Sequence, residues 1–187
     1  MVRRHFRASC LAAVALASML VPTAALAEKG SNSGLPVPRF VSLKSGQANV
    51  RVGPGRDYRV DWVYTRAGLP VEVVAEFDNW RRIRDAEGTE GWIFGALLSG
   101  RRTAIAAPWL STAERVEGSP GAVLTLRRGP SADSRAVASI EPGVVGTISD
   151  CDGDWCRFEP HASRGEISGY LRQLELFGAY PGERFED

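Results

Sequence analysis

The feature that most constrains this chain is a set of short motifs that occurs twice, in the same order, about 76 residues apart. Val50-Arg51-Val52-Gly53-Pro54 returns as Leu126-Arg127-Arg128-Gly129-Pro130. Arg66-Ala67-Gly68 and the run Val71 to Glu76 return as Glu141-Pro142-Gly143 and Val144 to Asp150. Asp78-Asn79-Trp80-Arg81-Arg82-Ile83 returns as Gly153-Asp154-Trp155-Cys156-Arg157-Phe158, and Gly91-Trp92-Ile93 as Gly169-Tyr170-Leu171. So long a period does not suit solenoid stacking and does suit two copies of one compact domain. Each copy consists of short β-branched and aromatic runs cut by Gly, Pro, Asp and Asn, with no helical period, which predicts an all-β fold. A domain this small buries only about 60% of its unfolded surface, so docking of the copies or a disulfide is expected to add stability.

The N-terminus predicts export. Arg3, Arg4 and Arg7 precede an apolar stretch from Leu11 to Val21, Pro22 ends it, and Ala25-Leu26-Ala27 forms a small-x-small cleavage site ahead of Glu28. The apolar run is shorter than the roughly 20 residues of a spanning helix, so no stable membrane insertion is expected. Cys10 stands at the start of that run, not at its end where a lipid-modified cysteine belongs.

Cleavage after Ala27 removes three of the 23 basic residues and none of the 22 acidic ones, which leaves a net charge of −2. Nothing in that balance favours nucleic acid as a partner. The two remaining cysteines, Cys151 and Cys156, are a close, even pair in an exported chain, and a disulfide is expected. A two-residue turn at Gly153-Asp154 sets Cys151 opposite Cys156, with Cα atoms about 4.5 Å apart. The same alignment sets Glu76 opposite Arg81 in the first copy.

Asn49-Val50-Arg51-Val52-Gly53-Pro54-Gly55, then Asn79-Trp80 and Gly91-Trp92, resemble the bacterial SH3-like domain, closely over 41–98 and more loosely over 122–176. The text from Ser33 to Phe40, Trp80 to Asp85 and Leu98 to Arg102 is similar to a family of exported tandem SH3-like proteins of proteobacteria whose function is poorly defined. The resemblance implies two tandem small SH3-like β-barrels. The expected organisation is a signal peptide over 1–27, a flexible leader over 28–40, a first barrel over 41–103, a linker over 104–121, a second barrel over 122–180 and a tail over 181–187. Related domains bind cell-wall peptides or proteins, often tethering a hydrolase. Arg128 in place of an apolar residue and Tyr170 in place of Trp92 separate the second copy from the pattern, so a ligand shared by both copies does not follow.

The candidate ligand-binding residues are Tyr58, Trp80, Arg82, Trp92 and Trp155. Aromatic rings offer rigid faces to a shallow peptide or sugar groove. Core packing is the competing use of Trp92, and loop anchoring that of Tyr58. Strand alternation places Trp80, Arg82 and Arg84 on the face opposite Ile83, so an inward Ile83 sends Trp80 outward; a bulge would reverse this. Arg81, Arg82, Arg84, Arg101 and Arg102 suit either carboxylate recognition or pairing with Asp78, Asp85, Glu87 and Glu90. No G-x-S-x-G, H-E-x-x-H or cysteine–base arrangement is present, and His161 sits in a loop insertion of the second copy, so no catalytic residue is assigned. Asp150, Asp152 and Asp154 lack the calcium-loop pattern, and neither a metal nor a cofactor is expected. The expected function is a non-catalytic periplasmic or secreted module that binds peptidoglycan or its stem peptides. The alternative is an adaptor docking on an envelope protein, through the Pro-x-Pro leader or Trp109.

Overall fold

The computed structural model describes residues 28–110, 123–163 and 166–186. The expected signal peptide, residues 111–121 of the expected linker and residue 122 of the expected second barrel lie outside the described residues. The short β-branched runs do form strands, and the two copies have one topology. A two-residue pairing of β1 (Glu28–Lys29) with β2 (Pro36–Val37) comes first. A seven-stranded antiparallel sheet follows, made of β3 (Arg39–Leu43), β4 (Ala48–Arg51), β5 (Val60–Tyr64), β6 (Pro70–Phe77), β7 (Trp80–Arg84), β8 (Glu90–Phe94) and β9 (Leu98–Ser99). Its order is β5-β4-β8-β7-β6-β3-β9.

The second sheet uses β10 (Thr103–Ala106), β11 (Leu124–Arg127) and β12 (Ala136–Ile140). β13 (Val145–Ser149), β15 (Trp155–Pro160), β16 (Gly169–Arg172) and β17 (Leu176–Phe177) complete it, in the order β12-β11-β16-β15-β13-β10-β17, which matches the first position by position. β14 (Cys151–Asp152) pairs separately with β18 (Arg184–Phe185). Neither sheet closes into a full barrel among the described residues. β5 pairs only with β4, and β9 is two residues long and pairs only with β3, so the edges do not meet. No helix among the described residues is long and apolar enough to cross a membrane.

Alternate residues of each strand build the core, as expected for sheets with one dry face. Leu43, Ala48, Val50, Val71, Val73, Ile83 and Ile93 form the first cluster, with Trp62, Tyr64 and Leu98 packed against its margin. Leu124, Leu126, Ile148, Cys156, Phe158 and Leu171 lie in the second. The glycine of the repeated Gly91-Trp92 motif has a packing reason: a Cβ on Gly91 would stand 2.5 Å from Val50 Cγ1, and one on Gly169 would stand 2.5 Å from the Arg127 carbonyl. β4 passes Gly91, and β11 passes Gly169, too closely for a side chain.

Three boundaries differ from the sequence reading. Residues 104–106, expected in the linker, belong to β10, which pairs with β13 and β17 as β3 pairs with β6 and β9. Arg39 and Phe40, expected in a flexible leader, are already strand, and the rest of that leader is fastened to the first sheet. The Ser33 hydroxyl donates to Glu76 Oε1 at 2.6 Å, and the backbone N–H groups of Asn32 and Ser33 donate to Oε2. A buried carboxylate needs several donors, and the leader supplies them. The tail is held as well, since β18 pairs with β14 and Glu183 accepts a two-pronged bond from Arg102 at 2.8 and 2.9 Å.

The two units dock. Phe40 packs edge-on against Phe177, with ring centroids 5.1 Å apart, and lies 4.7 Å from the Tyr180 ring. The Tyr180 hydroxyl donates to Glu72 Oε1 at 2.8 Å, while Arg84 donates to Glu72 Oε2 at 2.6 and 2.9 Å. Glu72 is 5% exposed, so its charge is balanced by Arg84 of its own unit rather than by solvent, and the Tyr180 hydroxyl adds a neutral donor from across the junction. Burial first, and then the bond to Glu72, push the Tyr180 phenol well above its ordinary pKa.

Phe40→Ala removes both ring contacts at this junction. It is expected to cost about 2 kcal/mol, below the ~3–5 kcal/mol of a fully buried phenylalanine, and to split one calorimetric transition into two. A single unchanged transition would show that the units melt independently of this contact.

Candidate functional site

The β6–β7 hairpin carries the most distinctive side chains and its geometry starts from a two-residue turn. Asp78 adopts φ +48°, a conformation aspartate tolerates, and the turn pairs Phe77 with Trp80 and Glu76 with Arg81. Arg81 Nε lies 3.2 Å from Glu76 Oε1, and Arg39 Nη2 lies 2.7 Å from the same oxygen. In the second unit Gly153, at φ +104°, begins the turn, and Cys151 and Cys156 form a disulfide with Cα atoms 4.2 Å apart. An ion pair and a disulfide thus occupy equivalent positions. Burial alone would raise the Glu76 pKa; the bonds from Ser33, Arg39 and Asn32 outweigh it and hold the carboxyl at about 2.

The bulge of this hairpin falls on β6, between Val73 and Ala75, and β7 keeps its alternation, so Trp80, Arg82 and Arg84 share the face opposite Ile83, which is fully buried. Cross-strand pairing sets Trp80 beside Phe94, Arg82 beside Trp92 and Trp92 beside Arg51. Trp80 lies on the outer face as alternation requires, yet it is only 9% exposed. Its neighbours account for the difference. Phe94 packs edge-on at 5.7 Å, and the turn Gly95–Leu97 folds back onto the hairpin through a bond from Gly95 N–H to the Asn79 carbonyl. Outward direction and solvent exposure are separate properties here.

What remains open beside Trp80 is a groove of about 510 Å3 lined by Gln47, Asn49, Arg51, Arg56, Trp80, Phe94 and Leu97. Arg51 shapes its wall by donating to the carbonyls of Arg56 and Tyr58 at 3.0 and 2.6 Å, which curls the following loop over the sheet. The loop carries Arg56 to 6.0 Å from the Phe94 ring centroid. The Tyr58 ring lies on Gly53, where no Cβ would fit, and is half exposed. The groove therefore offers two guanidinium groups, two amide side chains and an aromatic wall. That set can pair with a carboxylate, bond a peptide backbone and contact small apolar side chains.

Of the five expected residues, Trp80 lines this groove and Tyr58 anchors the loop beside it. Arg82 and Trp92 continue the same face, with Arg82 paired to Glu90 at 2.8 Å and Trp92 half-buried. Trp155 belongs to the other unit and is also 9% exposed; Arg172 stands over its ring at 5.1 Å. Arg172 occupies the position of Phe94, so the second unit sets its own cation against the equivalent tryptophan. Gln47, Asn49, Arg51, Arg56 and Phe94 were not singled out from sequence. One signal was present: Arg51 recurs as Arg127, whose guanidinium also reaches a loop carbonyl, that of Ser134, at 2.8 Å.

A family model described as Bacterial SH3 domain matches residues 44–100 and 121–177. No curated protein matches the chain. Among solved structures it is similar to NlpC2 from Trichomonas vaginalis, with 15% identity over 76% of this chain and 49% of that one, at a TM-score of 0.30. It is similar to NlpC1 from the same organism, with 16% identity over 79% and 48%, also at 0.30. The chain spans about half the length of both.

Glu76 supplies a pH dependence with a definite sign. Its folded pKa of about 2 lies below the ordinary 4.5, so the stability it contributes is complete above pH 4.5 and is lost as pH falls toward 2. Acid titration of the melting temperature is expected to fall across that window, and Glu76→Gln to flatten the fall while lowering stability at pH 7. An unchanged acid limb in Glu76→Gln would remove Glu76 from this role.

Proposed function

The chain belongs to the bacterial SH3 domain family, and from that premise we propose that it is a non-catalytic cell-envelope module whose first unit binds peptidoglycan stem peptides. The observation that carries the reading is the groove beside Trp80, where Arg51, Arg56, Gln47 and Asn49 converge on one aromatic wall. Stem peptides present free carboxylates, amide backbones and alanine methyl groups. Guanidinium forks suit the first, side-chain amides the second and the Trp80–Phe94 wall the third. The Cys151–Cys156 disulfide supports an oxidising compartment, in keeping with export and a periplasmic or secreted location.

The two units are not equivalent on this reading. In the second, Arg172 covers Trp155, so the cation that would meet a ligand carboxylate is turned onto the protein's own ring. We assign binding to the first unit and a supporting role to the second.

Co-sedimentation with purified sacculi tests the proposal. Arg56 is exposed and bonds no core group, so Arg56→Ala is expected to leave the melting temperature unchanged and to weaken retention by about tenfold, the size of one hydrogen bond to a charged group. Removal of the Arg172 guanidinium should leave retention near wild type. Absence of wild-type retention would contradict peptidoglycan as the ligand and favour docking on an envelope protein.

A further inference from the structure

A second recessed site lies between the units and is independent of the Trp80 groove. It is a cleft of about 480 Å3 whose lining includes Ser42, Lys44, Ser99, Arg101, Thr103 and His161, and no carboxylate. Ser42 on β3 and Thr103 on β10 are each 2% exposed and form its buried side. The Thr103 hydroxyl oxygen is buried and has no hydrogen-bond partner. Lys44 and Arg101 are exposed at its margin, and neither has an ion-pair partner among the described residues.

His161 is held over the cleft from the second unit. Its Nε2 lies 3.1 Å from Thr147 Oγ1, and its Cε1 lies 3.0 Å from where a Cβ on Gly68 would stand. The histidine of one unit thus sits on the backbone of the other. Burial first, then Arg66 and Arg101, disfavour its protonated form, and Glu159 opposes them. The local potential is therefore positive, and Lys44 adds to it within the same cleft.

We propose that this cleft binds the phosphate group of a small molecule. An oxyanion of two negative charges fits unpaired lysine and arginine groups, hydroxyl donors and the absence of a competing carboxylate. The volume leaves room for a modest organic body beyond the phosphate. A bound anion neutralises the repulsion from Arg66 and Arg101 and gives the protonated imidazole a partner, so the His161 pKa rises on binding.

Histidine NMR on the whole protein reads this directly. The chain has two histidines, and the His161 ring signal is identified by its loss in His161→Gln. Inorganic phosphate is titrated against sodium chloride of matched ionic strength. The expected result is a saturable shift of the His161 ring, with its pKa moved upward. Lys44→Gln and Arg101→Gln should each weaken the response by about tenfold, and Arg128→Gln, on the second unit's exposed loop, should not. Because both cations are exposed, unchanged melting curves are expected to accompany the loss. A His161 titration identical in phosphate and chloride would overturn the proposal. So would an equal response to acetate, or binding only to phosphatidylglycerol vesicles, which cannot enter a cleft of this size.

Discussion

One constraint runs through this protein: a sheet unit of this size has a small interior and is marginally stable by itself. The first unit's core is a cluster of seven buried side chains, one of them an alanine and three of them valines. Burial at that scale contributes only a few kcal/mol beyond the entropy of ordering the chain. Fasteners outside the core supply the difference. In the first unit the buried Glu76 carboxylate gathers the leader, Arg39 and Arg81 around the base of the hairpin. In the second, the Cys151–Cys156 disulfide stands at the same point, and the C-terminal strand pairs alongside it. The segment from Glu28 and the strand Arg184–Phe185 thus play matching parts, each laid against one hairpin.

Docking completes the arrangement. Glu72 is on the outer face of β6, where a lone sheet would expose it, and instead it is shared between Arg84 of its own unit and Tyr180 of the other. Burying a carboxylate is tolerated because both oxygens are bonded, and the Phe40–Phe177–Tyr180 cluster excludes water around it. Docking also creates the cationic cleft, which neither unit has alone because Ser42 and Lys44 come from the first and Thr103 and His161 from the second.

Much of this was legible in the sequence wherever the cause is local. Two-residue turns and the period of two place Cys151 against Cys156 and Glu76 against Arg81, and both pairings are present. The repeated glycine and aromatic motifs identify the all-β units, and Gly91 and Gly169 among them mark crossings too tight for a side chain. Where the cause is distant, sequence fell short. Thr103–Ala106 is only four residues long with two alanines, and its neighbours lie about 40 and 70 residues away. Trp80 points to the side that alternation requires, but its burial depends on Phe94 and the Gly95–Leu97 turn, which periodicity does not weigh. The role of Arg51 depends on carbonyls five and seven residues along a loop whose curl is itself a product of the bonds. The bond from Tyr180 to Glu72 spans 108 residues.

The central proposal is that the groove of the first unit takes a peptide carboxylate while in the second unit Arg172 stands over the equivalent tryptophan. The chain's five tryptophans provide five indole N–H signals for testing it. Titration with a soluble stem peptide, followed by nitrogen–proton NMR, should shift the Trp80 indole saturably, with one peptide bound per chain and the Trp155 indole unmoved. Equal shifts at Trp80 and Trp155, or a shift at neither, would contradict the account.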